Sequence, residues 1–221
     1  MNATLRLLSP ASPATTFTRV MAAAMVLGGC ASSPLQAPIL LSLPPAVTSS
    51  VAATETPPVA GAPSPKLLAI RRVGIPEYLV ARRVRYRADA STLAEWPNTY
   101  WAERIEIGVS REFMSALRQQ LPGWELCEST CGDQVPSLAL QVELVPMDFV
   151  RSTQQLQARA RVMVSSGGAA PRTLQATELN YALPAVADTA QAQAAAVTEL
   201  LRRVAAASAT LVTAADRKSV V

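Results

Sequence analysis

The chain has 221 residues and a formal net charge of +4, and it contains no histidine. The absence of histidine removes the commonest general base, and with it serine–histidine and cysteine–histidine nucleophile systems and most catalytic zinc sites. The charge is too small to indicate a nucleic-acid partner. Half of the residues are hydrophobic but only 5% are aromatic, so we expect one domain with an aliphatic core.

The first predicted element is a secretory signal that ends in cysteine. Arg6 and Arg19 precede an apolar run over residues 20–27, and no acidic residue occurs before Cys30. A basic segment, an apolar segment and small residues before the cleavage point are the parts of a signal peptide. Because the segment closes as Leu-Gly-Gly-Cys, it resembles the lipobox of bacterial lipoproteins, in which the cysteine is acylated and the peptide is cut before it. An ordinary signal peptide, or a buried helix with a chance cysteine, is the alternative.

Lipidation at Cys30 would anchor the mature chain to a membrane. Removal of residues 1–29 leaves 192 residues with a formal charge of +2. Three acyl chains, palmitate among them, hold far more firmly than one, since each buried methylene contributes ~0.8 kcal/mol. No other segment reaches the ~18 apolar residues of a transmembrane helix. Neither Ala31 nor Ser32 is the aspartate that retains lipoproteins at the inner membrane, so the predicted location is the periplasmic face of the outer membrane.

Residues 30–65 are predicted to form the lipidated cysteine and a proline-rich tether. Eight of the 17 prolines lie between Pro34 and Pro65, where the only charged residue is Glu55. Such a composition favours an extended, semi-rigid segment. Residues 39–43 interrupt it and are apolar enough for a first strand. If that strand pairs with the domain, residues 44–65 become a long surface loop instead.

The folded domain is predicted over residues 66–215, with 216–221 as a tail. Helical spacing predicts one helix over residues 101–121, which Pro122-Gly123 ends, and a second that Pro184 opens. Alternating or apolar patterns predict strands over residues 66–74, 80–88, 124–127, 138–145, 156–164 and 172–183. These elements predict a single α/β domain, in which two main helices pack on a mixed sheet of about six or seven strands.

Cys127 and Cys131 are the remaining cysteines. The periplasm is oxidising, so a structural disulfide between them is the main interpretation, with free thiols as the alternative. Their spacing is not that of a redox motif, and two thiols without histidine make a poor metal site. No metal site and no cofactor is therefore expected.

A series of short motifs follows in residues 66–121, ahead of the amphipathic helix. In order, these are Ile75-Pro76-Glu77-Tyr78-Leu79, Glu95-Trp96 and Tyr100-Trp101-Ala102-Glu103. Behind a lipobox, this order resembles the auxiliary lipoproteins of ABC-type and MCE-type transport systems, the PqiC-like (YmbA-like) family. The resemblance covers residues 35–212. The chain departs from it in a first strand that lacks the usual tyrosine and in a longer proline-rich stretch.

The resemblance implies a non-catalytic accessory role. Such lipoproteins are outer-membrane partners of MCE proteins, which form lipid-conducting assemblies across the periplasm. It implies an MCE-domain protein as partner, contact with the membrane through the N-terminal acyl chains and no nucleic acid; a homo-oligomer is left open. The alternative function is an envelope-assembly lipoprotein, for lipopolysaccharide or outer-membrane proteins. No enzyme and no catalytic residue is expected, and Asp148 is interpreted as a turn residue.

Five residues are the candidates for partner binding. Arg83, Arg85 and Arg87 alternate along a strand, so they share one face. They either keep a sheet edge soluble or face lipid phosphates or an acidic partner. Tyr78 and Trp101 are candidates because aromatic residues are enriched at interfaces, although packing is the alternative for both.

We predict that Cys30→Ser leaves the signal peptide uncut by the lipoprotein peptidase and the chain unacylated, because the thiol is the acylation site. Intact mass spectrometry of fractionated membranes measures this, with the wild type as control. A wild-type mature chain that is soluble and carries no lipid would refute the anchor.

Overall fold

A computed structural model of the protein describes residues 37–46, 66–128 and 131–219. The predicted signal peptide, Cys30 and residues 31–36 and 47–65 of the predicted tether lie outside the described residues. The strands are β1 (Ile39–Leu41), β2 (Lys66–Ile70), β3 (Arg83–Arg87), β4 (Leu93–Trp101), β5 (Trp124–Glu128), β6 (Leu138–Val150), β7 (Gln155–Ser166) and β8 (Thr173–Pro184). The helices are α1 (Ile105–Gln120) and α2 (Ala190–Ser219), and Glu77–Leu79 forms a single 3-10 turn.

Strand β6 joins the two halves of the sheet. One edge of β6 pairs along its length with antiparallel β7, which pairs in turn with antiparallel β8. The other edge pairs with parallel β2 through residues 138–140 and with parallel β3 through Val150. Beyond β2 lies β5, and beyond β3 lie β4 and then β1. The sheet is therefore mixed and forked, with β2 and β5 in one arm and β3, β4 and β1 in the other.

The core of the domain is aliphatic, as the composition predicts. Alternate residues of β6 and β7 are fully buried, including Leu140, Val142, Ala160 and Val162, because α1 and α2 cover that side. The helices contribute their own apolar faces, chiefly Val109, Phe113, Leu117, Leu200, Leu201 and Val204. The intervening residues of β7, such as Arg159 and Arg161, are exposed. The helices thus lie on one face of the sheet and a polar face remains on the other.

Residues 37–46 are part of the domain. Strand β1 pairs in parallel with the end of β4, from Ile39 opposite Thr99 to Leu41 opposite Trp101. Leu41 and Leu43 are buried in the core, and the backbone N–H of Ala46 donates to Glu112 Oε2 at 2.9 Å. Of the two alternatives for residues 39–43, the structure shows the pairing strand.

Three element predictions differ from the structure. The described residues form eight strands, close to the six or seven expected; β4 is the additional strand, since the sequence predicts no strand over residues 93–101. Its alternation is broken at Asn98, whose φ of 49° is left-handed, so the period-two pattern is lost. Helix α1 begins at Ile105 rather than 101, since Trp101 is still paired in the sheet.

Helix α2 begins at Ala190 rather than near Pro184, which ends β8 opposite Gln155. The hydroxyl of Thr189 accepts a hydrogen bond from the N–H of Ala192 at 3.1 Å, and this caps the first turn. No helix in the described part of the chain is long and apolar enough to cross a membrane.

Helix α2 is fixed to the β3–β4 arm by one buried glutamine. The indole N–H of Trp96 donates to Gln193 Oε1 at 2.7 Å, and Gln193 Nε2 donates to the carbonyl of Arg85 at 2.7 Å. A buried amide costs free energy unless it is bonded, so these two bonds set the position of α2 against β3 and β4.

Cys127 and Cys131 are joined by a disulfide at the end of β5, with their Cα atoms 5.3 Å apart. We predict that the mature protein carries this disulfide and that reduction lowers the free energy of unfolding by ~2 kcal/mol, as expected for so short a loop. Mass spectrometry after alkylation without reductant measures the pairing, and urea unfolding with and without reductant measures the energy. Two alkylated thiols in periplasmic material, with stability indifferent to reductant, would contradict the prediction.

Candidate docking surface

The three candidate arginines project from one face of β3. Arg83, Arg85 and Arg87 alternate with Val84, which is fully buried, and with Tyr86, whose ring stacks 4.9 Å from that of Trp96. Alternation in a strand sends successive side chains to opposite faces. The arginines therefore lie on the face away from α2, as the sequence predicts.

Each of the three arginines is paired with a carboxylate. Arg83 Nε and Arg85 Nε both lie 3.3 Å from the carboxylate of Glu95, one on each oxygen. Arg87 Nε donates to Asp148 Oδ2 at 2.9 Å. Two acids thus offset most of the charge of three arginines, and the row is far less basic than its sequence suggests.

The exposure of the row rises toward one end. The exposed side-chain fraction is 22% for Arg87, 33% for Arg85 and 49% for Arg83. Arg83 also stacks over Tyr100, with its guanidinium carbon 5.2 Å from the ring centroid. Arg83 is therefore the member of the row with the most surface to offer a partner.

Tyr78 joins the 3-10 turn to the sheet. Its hydroxyl donates to Asp148 Oδ1 at 2.9 Å, and its carbonyl accepts from Arg85 Nη1 at 2.8 Å. Burial, and after it the hydrogen bond to the Asp148 carboxylate, raises the pKa of Tyr78 above its ordinary value. The Tyr78 hydroxyl is thus occupied within the fold, and part of the ring is left at the surface.

Asp148 is the residue that sequence reasoning missed. It is a buried residue of β6 rather than a turn residue, and it binds both Tyr78 and Arg87. Its partners stand 70 and 61 residues away along the chain, so no local pattern indicates the contact. Glu95, by contrast, stands opposite Arg85 in the β3–β4 hairpin, and a strand prediction for 93–101 would have indicated it.

Trp101 is the last residue of β4 and is buried in the core, so it does not stand at a helix start. Glu103 lies between the strand and α1, where both of its oxygens accept from Arg111 Nη1 at 2.6 Å. Only an edge of the Trp101 side chain reaches the surface, at the cleft described next.

A cleft of about 400 Å³ lies where β3 begins, β4 ends and α1 begins. Its lining includes Arg82, Trp101, Arg104 and Glu106. Glu106 is buried, and no group in the described part of the chain donates a hydrogen bond of good geometry to its carboxylate oxygens. It forms an ion pair with Arg104, whose side chain is mostly exposed. Glu103 also lines the cleft. Arg82 and Arg104 are the exposed cations of this rim.

Within residues 37–46, 66–128 and 131–219, no group of three or more metal-ligating side chains comes together. The candidate surface presents guanidinium groups beside a cleft that Trp101 lines.

Known proteins share both the sequence pattern and the fold of this chain. A family model described as "ABC-type transport auxiliary lipoprotein component" matches residues 48–209. The fold is similar to that of an uncharacterized protein with a crystal structure, at 15% identity and a TM-score of 0.62, over 80% of this chain and 99% of that one. It is also similar to protein XCC0632 from Xanthomonas campestris, of family DUF330, at 14% identity and a TM-score of 0.53, over 83% of this chain and 96% of that one. No curated protein matches the sequence.

We predict that Tyr78→Phe lowers the free energy of unfolding at neutral pH by about 1 kcal/mol, because it removes one hydrogen bond to a buried carboxylate. It should also flatten the decline of stability at high pH. The raised pKa of Tyr78 means that its protonated hydroxyl stabilises the folded state. This stabilisation is complete below pH 10.0, the ordinary pKa of tyrosine, and is lost as the pH rises through the pKa of the folded state. Urea unfolding below and above pH 10.0 measures both effects.

Tyr181→Phe is the matched control, since the pKa of Tyr181 is also raised, by burial, but it lies in β8 away from Asp148. It should flatten the high-pH decline with a smaller loss at neutral pH. A Tyr78→Phe variant with wild-type stability at every pH would show that the bond to Asp148 contributes nothing.

Proposed function

The chain belongs to the family of ABC-type transport auxiliary lipoprotein components, and we propose that it is the outer-membrane-anchored, periplasmic member of an MCE-type intermembrane lipid transport system. In that role it docks a partner MCE protein and catalyses no reaction. The match of the family model over residues 48–209 carries the proposal.

The membrane anchor is supported by the segment before the domain. A basic start, an apolar run and a closing Leu-Gly-Gly-Cys precede Cys30, and the family description is that of a lipoprotein. Acylation at Cys30 would hold the chain at a bilayer without a spanning helix. Ser32 at the sorting position favours the outer membrane.

The docking role is supported by the exposed end of the arginine row. Arg85 and Arg87 hold the 3-10 turn and β6 in place, whereas Arg83 is half-exposed. Arg82 and Arg104 are exposed beside it at the cleft. Guanidinium groups bind carboxylates through two parallel hydrogen bonds, so this margin fits an acidic patch on the partner. Trp101 lines the cleft beside this margin. Tyr78 holds the 3-10 turn against β3 and β6, and both rings are proposed to present only a part of their surface to the partner.

We predict that Arg83→Glu weakens binding of the cognate MCE protein by about tenfold or more, because it sets a carboxylate against an acidic patch. Arg203→Glu is the matched control, since Arg203 is similarly exposed and also paired with one glutamate, but it lies on α2. Pull-down titration with purified components measures the affinity, with circular dichroism as the folding control. Reversal of all three arginines is a poorer test, because Arg85→Glu and Arg87→Glu would also remove the donors to the Tyr78 carbonyl and to the buried carboxylate of Asp148.

If folded Arg83→Glu and Arg203→Glu variants bind the MCE protein with equal affinity, the arginine row is not part of the docking surface. Absence of any complex between the wild-type chain and an MCE protein would remove the MCE partner itself.

A further inference from the structure

Strand β1 leaves an apolar edge on the domain. Among the strands of the described residues, it is the outermost of its arm of the sheet. Ile39 is 44% exposed and Leu40 is 57% exposed. Exposed sheet edges are usually protected by charged side chains, yet no charged residue occurs in residues 37–46. This edge therefore lacks protection by charged side chains.

A cross-strand row extends from that edge toward the arginines. Leu40 stands opposite Tyr100, and Tyr100 stands opposite Arg83. Residues directly opposite in paired strands share a face, and the stacking of Arg83 on Tyr100 at 5.2 Å agrees with this. The row thus passes from an aliphatic side chain to a tyrosine and then to a guanidinium. Aromatic rings with a polar tip and arginines beside apolar surface are the residues enriched at the headgroup level of a bilayer.

The chain length between the predicted anchor and this edge is short. Nine peptide units join Cys30 to Ile39, and at ~3.3–3.6 Å each they span at most about 30 Å. A domain of this length has a diameter of about 40 Å. An acylated Cys30 cannot therefore place the bilayer beyond the far side of the domain, and the β1 edge is within its reach.

We propose that the β1 edge, presented by Leu40 and its neighbour Tyr100, lies against the surface of the bilayer that holds the acyl chains of Cys30. The proposal rests on the lipid anchor of the proposed function. Its occupant is a phospholipid surface: the Leu40 side chain contacts the acyl boundary, and Tyr100 lies at the headgroups. A second copy of the chain fits this edge less well. Two exposed aliphatic side chains on a strand of three residues offer far less area than the ~800 Å² per partner of a stable dimer.

The test uses the full, lipidated chain reconstituted in vesicles of phosphatidylethanolamine and phosphatidylglycerol. A photoreactive benzophenone amino acid replaces Leu40 in one variant and Val135 in a matched control. Val135 is 74% exposed and precedes β6, in the half of the sheet away from β1. After irradiation, mass spectrometry of peptides quantifies adducts to phospholipid and to protein. We expect several-fold more phospholipid adduct at position 40 than at position 135. A third variant, labelled at Tyr100 opposite Leu40, gives the same comparison if the Leu40 variant does not fold.

Three outcomes overturn the proposal. Adducts from position 40 to a second copy of the chain would show that the edge is a subunit contact. Equal phospholipid adducts at positions 40 and 135 would show that the edge does not face the bilayer. In both cases the chain floats with the vesicles and the anchor stands. A chain that does not float and carries no acyl group on Cys30 overturns the proposed anchor together with this inference.

Discussion

The carboxylate of Asp148 is the contact on which the candidate surface depends. It is buried in β6 and accepts hydrogen bonds from Tyr78 and Arg87. A buried carboxylate without partners is strongly unfavourable, so the turn that carries Tyr78 and the strand that carries Arg87 must both come to it. Because Arg87 is bound to Asp148, its guanidinium is not available to another protein. The same turn accepts Arg85 through the Tyr78 carbonyl, so two of the three arginines are committed to the fold.

The arginine that remains available to a partner is Arg83, at the start of β3. Arg83 is half-exposed and stacks on Tyr100, which stands opposite Leu40 of β1. One corner of the domain thus holds a basic margin, a cleft and an apolar strand edge next to each other. A lipid-anchored accessory protein needs two contacts, one with its membrane and one with its partner, and this corner offers chemistry for both. The membrane contact is proposed for β1, and the partner contact for Arg83 and the cleft rim.

The sequence predicts those parts of the fold that have a regular period. Strands β6, β7 and β8 alternate clearly because one face is buried and the other is polar. Strand β4 escapes prediction because the left-handed backbone at Asn98 breaks the alternation. The common face of Arg83, Arg85 and Arg87 was predictable, since it needs only strand geometry. Their pairing with Asp148 was not, because it depends on the fork in the sheet that brings β3 beside the end of β6.

Hydrogen–deuterium exchange of the lipidated chain tests both proposed contacts most directly. Exchange is compared in three states: the chain in detergent, the chain on vesicles, and the chain on vesicles with the cognate MCE protein. The account predicts that vesicles slow exchange in residues 37–42. It predicts that the partner adds protection in residues 80–83 and 102–106, while β8 and the outer side of α2 exchange equally in all three states. Protection by the partner confined to β8 or α2, with residues 80–83 and 102–106 unchanged, would contradict it.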